Sequence, residues 1–137
     1  MLRIFPLLAL PVIIYALFAF PAGAEGMRNA LATQAFGVPL ASGGTCVVTR
    51  GHLLIIFAII CLFFEVLKST RPTSAAMIDV VLAVGVFIVA LIAFLLLPGF
   101  GTTEFFIILL MCVLDFMSGF VVMVTTARRT VDYTNSN

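Results

Sequence analysis

The stretch AAMIDVVLAVGVFIVALIAFLLL, Ala75 to Leu97, decides the fold, because after Asp79 it runs eighteen residues without a charge. A helix of about 20 such residues, rising ~1.5 Å each, crosses the ~30 Å hydrocarbon core of a bilayer. Three further apolar runs flank it, Ile4 to Phe20, Leu53 to Leu67 and Phe105 to Ala127. The spans predicted from these runs are 4–20, 51–68, 74–97 and 104–127. The second reaches full length only if its helix starts near Gly51 and uses Glu65 and Lys68 at its far end.

Composition agrees with a chain built for lipid. Its 137 residues are 64% hydrophobic and 9% charged, with a mean hydropathy of +1.31. A soluble domain is roughly 45–50% apolar and about 25% charged. The whole chain, 1–137, reads as a single all-α integral membrane domain with the lipid bilayer as its first partner, and it has no room left for a soluble catalytic domain. A net charge of +1 and the lack of a basic patch with interleaved aromatics argue against nucleic acid.

The basic residues suggest an orientation. With both termini cytoplasmic, Arg3, Lys68, Arg71, Arg128 and Arg129 fall inside, and only Arg28 and Arg50 fall in an outer loop, 21–50. Pro72 would stop the second helix, with Thr73 or Ser74 capping the third, and Pro98-Gly99-Phe100-Gly101 would make the matching outer turn. The first run, with Arg3 before it and Pro21-Ala22-Gly23-Ala24 after it, also resembles a secretory signal peptide. Its length, greater than the usual 7–15 residues of such a core, favours a retained span. Pro6 suits a first helical turn, and Pro11 is expected to kink the helix.

Strand character is confined to the outer loop. Ala35 to Ala41, then Ser42-Gly43-Gly44, then Thr45 to Thr49 predicts a small β-hairpin, with Pro39 keeping its strand at an edge. The hairpin reads either as a lid that satisfies its own backbone or as a docking strand for another protein. His52 follows as the sole histidine, which suits an interfacial imidazole better than a metal ligand. Cys46, Cys61 and Cys112 show no pairing pattern.

The acidic residues share a register. Stepping by threes and fours gives Leu54, Ala58, Cys61, Glu65 and Lys68 on the second helix. The third gives Asp79, Ala83, Val86, Ala90 and Ala93, and the fourth Cys112, Asp115, Gly119, Val122 and Thr126. Each carboxylate therefore lies on a stripe of small residues, the kind of face on which helices approach closely in lipid. Glu65 and Asp79 are expected at the same level near the inner surface, to within about 3 Å, with Asp115 about 10 Å deeper.

A carboxylate at the centre of a span costs about 2.5–3.5 kcal/mol on insertion scales, so something must offset it. Three arrangements qualify for Asp115: a protonated carboxyl bonded to Ser118 or a backbone carbonyl, a wet cavity, or a cation from another subunit. Asp115, Asp79, Glu65 and Ser118 are thus the candidate site, as a helix–helix glue, a partner contact or an ion path. The sequence contains no phosphate loop, dinucleotide fingerprint, zinc-protease motif or nucleophile elbow, so no catalytic residue, metal or cofactor is assigned and no enzyme is expected.

The segments Phe36 to Gly43, Phe63 to Arg71 and Pro98 to Phe106 resemble small uncharacterised four-helix inner-membrane proteins of proteobacteria. That resemblance covers roughly the last hundred residues and implies a multi-pass bacterial inner-membrane location but no activity. The expected function is a non-enzymatic subunit or accessory factor of a larger membrane assembly, with another membrane protein or a second copy as partner. The alternative is a small proton- or cation-coupled transporter acting as a homo-oligomer. Small multidrug transporters themselves are a poor match, since the run Ile4 to Phe20 lacks the glutamate their first helix carries.

Overall fold

A computed structural model describes residues 5–69 and 76–135 and contains four long apolar helices with a two-stranded sheet between the first two. In chain order they are α1 (Ala9–Ala32), β1 (Gln34–Pro39), β2 (Thr45–Thr49), α2 (Arg50–Ser69), α3 (Ala76–Leu96) and α4 (Thr103–Asn135). The expected turn around Arg71, Pro72, Thr73 and Ser74 lies outside the described residues, as does Arg3.

The helices form a bundle because each has a narrow inward face. α4 packs against both α2 and α3, and α1 packs against α2. α2 buries Gly51, Ala58, Cys61 and Glu65, and α3 buries Ala83, Ala90 and Ala93. On α4 the buried stripe runs through Ile108, Cys112 and Asp115 and then fades, leaving Gly119 and Val122 half-buried and Thr126 exposed. The remaining faces carry exposed Leu, Ile, Val and Phe, as suits helices surrounded by hydrocarbon. Between α1 and α3 the bundle is open along an apolar cleft lined by Pro6, Ala9, Ile13, Leu82 and Val86.

The first helix differs most from expectation. It begins at Ala9 and continues to Ala32, well into the predicted outer loop and through the Pro21-Ala22-Gly23-Ala24 segment that resembles a signal-peptide cleavage site. Gly23, at φ 66° and ψ −174°, interrupts the helical backbone two residues after Pro21, and the helix-forming run Ala24 to Ala32 then resumes. Only glycine adopts that backbone cheaply. Pro11 produces no kink, because it sits in the first turn, where its missing N–H has no intrahelical acceptor to lose. α4 likewise runs beyond the predicted 127 to Asn135.

The hairpin pairs antiparallel, with Phe36 opposite Val48, Val38 opposite Cys46 and Pro39 opposite Thr45. Gly43, at φ 86°, makes the turn, and its N–H donates to the Leu40 carbonyl at 3.0 Å. The chain passes directly from β2 into α2, where Thr49 and His52 cap the helix reciprocally. The Thr49 N–H donates to His52 Nδ1 at 3.1 Å, and the His52 N–H donates to Thr49 Oγ1 at 3.3 Å. That is a capping box with imidazole in the place usually held by Glu or Gln.

At the hairpin end, Tyr15 organises an aromatic core. Its ring centroid lies 4.7 Å from that of Phe105 and 5.4 Å from that of Phe100, and the latter two rings meet edge to face at 5.0 Å. Four hydrogen-bonding groups line up in series there. The Phe105 N–H donates to Thr102 Oγ1 at 3.3 Å, and that hydroxyl lies 2.6 Å from the Tyr15 hydroxyl, which donates to the Gly99 carbonyl at 2.8 Å. Thr102 is thus the N-cap of α4 and also the partner of a buried phenol.

Candidate functional site: an intramembrane charged cluster

The candidate residues gather at the end of the bundle away from the hairpin. Glu65, on the last turns of α2, is 3% exposed and both of its carboxylate oxygens are engaged. Oε1 lies 2.8 Å from Lys68 Nζ, one turn further along the same helix. Oε2 accepts the Leu7 N–H at 2.6 Å, just ahead of α1. A carboxylate there meets both an unpaired amide and the positive end of the helix dipole.

Lys68 links three elements. Besides Glu65, its ammonium donates to the Phe5 carbonyl at 3.3 Å and stands 3.4 Å from Asp79 Oδ1 on α3. The Asp79 contact is an ion pair without hydrogen-bond geometry, so Oδ1 is buried yet has no hydrogen bond among the described residues. Lys68 thus stands between Glu65 and Asp79, and it comes from the same helix as Glu65. Arg71, expected beside them, lies outside the described residues.

Asp115 sits deeper. It is 4% exposed, on the face of α4 that meets α2 and α3. Its level follows from Gly119, where an added Cβ would stand only 2.8 Å from Val80 Cγ2. That contact puts Gly119 beside the residue after Asp79, and Asp115 one turn, about 6 Å, further from that end of the bundle. The charged groups whose fields reach Asp115 are Glu65, Lys68 and Asp79.

One arrangement expected for Asp115 pairs it with Ser118. No hydrogen bond joins it to Ser118 among the described residues, although Ser118 is half-buried on the same helix. Among the described residues no three His, Cys, Asp or Glu side chains converge to hold a metal ion.

Two connections were not foreseen. The Leu7 amide carries no side-chain signal, because its partnership with Glu65 depends on where α1 begins. Tyr15 did carry one, since a phenol in the middle of an apolar run needs a polar partner for its hydroxyl. No protein-family profile, no curated protein and no solved structure matches the chain.

Proposed function

We propose that this small multi-pass protein is a non-enzymatic subunit or accessory factor of a larger assembly in a bacterial inner membrane, with both termini cytoplasmic. The hairpin carries the reading. Every residue of β1 is exposed, Phe36 and Val38 among them, in a sheet that among the described residues has two strands. A two-stranded sheet is marginal in water, and its outer edges offer unpaired backbone groups to a third strand. The excess of basic residues around Lys68 and Arg128 supports the orientation. The absence of any nucleophile–base pattern from the sequence supports a role without catalysis.

The test is affinity purification from native membranes in mild detergent, followed by mass spectrometry. The intact chain should recover a stoichiometric membrane partner, and a chain whose residues 36–48 are replaced by a Gly/Ser linker should lose it. Recovery of the monomer alone removes the proposal.

A second reading, a small proton- or cation-coupled transporter acting as a homo-oligomer, is favoured by one observation, the buried carboxyl of Asp115. Reconstituted vesicles should then show flux that Asp115→Asn abolishes. Wild-type vesicles silent under every gradient would rule it out.

A further inference from the structure

We propose that the groove between α1 and α2 at the hairpin end is a site for an acidic phospholipid, with Arg50 on its phosphate and one acyl chain along the apolar walls. The proposal is independent of the partner assigned to the hairpin, because it concerns lipid and a different surface.

The groove encloses a cavity of about 370 Å³. Buried Met27 and Leu31 of α1 line it, and exposed Phe18, Leu53 and Phe57 leave it open at the surface of the bundle. Its α1 side is drawn from both sides of the Gly23 break, with Phe18 before it and Met27 after it. Arg50, the first residue of α2, stands at one end, and Phe57 lies two turns further along that helix, roughly 10 Å at ~1.5 Å per residue. The groove therefore runs from a cation to an aromatic ring in the span.

Polarity chooses the occupant. Arg50 is the charged residue among the lining side chains, and its guanidinium makes no ion pair or hydrogen bond among the described residues. Its backbone is settled separately, since the Arg50 N–H donates to the Thr33 carbonyl at 2.9 Å. Glu104 packs against Gly51, the next residue of α2, yet forms no ion pair with Arg50. A guanidinium in this position can lay its stem on apolar surface and offer paired N–H groups to phosphate oxygens. An apolar helix would fill the walls and leave the cation unused, whereas an amphiphile with an anion at one end uses both. No acidic side chain lines the groove to receive an ammonium, so a head of net negative charge is favoured over a zwitterionic one.

The test counts lipid on the protein. Native mass spectrometry of the full chain, released from detergent containing equal phosphatidylglycerol and phosphatidylcholine with the same acyl chains, should show one phosphatidylglycerol retained about tenfold over phosphatidylcholine. Arg50→Gln should bring that ratio close to one, and Arg50→Lys should keep most of it. Arg28→Gln, at an exposed arginine that lines a separate pocket, should leave the ratio unchanged. Ala30→Phe, which puts a ring into the groove, should lower retention of both lipids with Arg50 intact. Excess inorganic phosphate should not displace the lipid, because it has no chain to hold the walls. Equal retention of the two lipids by wild type, an equal loss in Arg28→Gln and Arg50→Gln, or displacement by phosphate alone overturns the site. If Arg50→Gln fails to fold, Ala30→Phe and Arg28→Gln decide. A failed lipid test leaves partner recovery through residues 36–48 untouched, so the two proposals fall separately.

Discussion

The Leu7 N–H lies 2.6 Å from Glu65 Oε2, so a carboxylate near the end of α2 caps the approach to α1 across 58 residues of chain. The same carboxylate holds Lys68 at 2.8 Å, and Lys68 reaches Asp79 at 3.4 Å. Three helices thus meet through two acids and one base at the end away from the hairpin. An ion pair of this kind gives weak net stability over an apolar replacement, yet breaking it from one side is costly.

That asymmetry makes a prediction. Lys68→Met should destabilise the protein by about 3 kcal/mol, because it leaves Glu65 and Asp79 facing each other without a counter-charge. Glu65→Gln should cost less, about 1–2 kcal/mol, since an amide oxygen still accepts from Leu7. The combined Lys68→Met, Glu65→Gln, Asp79→Asn variant should recover much of the lysine loss, a non-additivity expected of residues in one network. Thermal unfolding in a fixed detergent measures all three. Additive losses would show that the three side chains do not act together.

The Tyr15 hydroxyl sits between the Gly99 carbonyl and the Thr102 hydroxyl, both at the α3–α4 turn. Tyr15→Phe keeps the ring against Phe100 and Phe105 but strips both partners, and should cost about 1–3 kcal/mol. Tyr15→Ala removes the ring as well and should cost about 3–5 kcal/mol, as large aromatic truncations do. Unfolding in detergent separates the two variants: no loss in Tyr15→Phe would mean that the hydroxyl contributes nothing, and equal losses would mean that the ring adds nothing beyond it.

Much of this architecture was legible in the sequence, for a physical reason. Lipid imposes long uncharged runs, so Val80 to Leu97 declares a span regardless of context. It also lets helices touch through small residues, so the register of Ala58, Cys61 and Glu65, or of Ala83, Ala90 and Ala93, already marked the buried faces. Local stop signals were less informative. The apolar run ends at Phe20, but the helix does not: Gly23 absorbs the disruption beside Pro21 in a single residue and the chain continues helical to Ala32. Contacts made by backbone groups, such as the Leu7 amide, left no pattern in the residue types.

His52 has a specific structural task, which its position at a helix end did not identify beforehand. His52→Ala should lose the acceptor for the Thr49 N–H and cost about 1 kcal/mol, the usual scale of an N-terminal cap. His52→Gln restores a side chain suited to a capping box and should regain most of that loss. Amide hydrogen exchange at Thr49 reports the cap directly. Protection unchanged in the alanine variant would show that the imidazole does not hold that amide.

Gly119 governs how closely α3 and α4 approach beside the charged cluster. A Cβ at this position would stand 2.8 Å from Val80 Cγ2, a distance that real Cβ contacts do not sustain, and Val80 is β-branched with little rotamer freedom to yield. Gly119→Ala should therefore push the helices apart rather than settle into a gap, and the displacement falls one turn from Asp115. Two effects are expected together: a loss of about 1–3 kcal/mol from overpacking, and easier entry of water to Asp115. Hydrogen exchange around residues 111–119 measures the second, and unfolding in detergent the first. Val80→Ala introduced into the same chain should relieve both by removing the opposing methyl groups. If Gly119→Ala alone leaves stability and exchange unchanged, the tight α3–α4 contact does not control access to the acid.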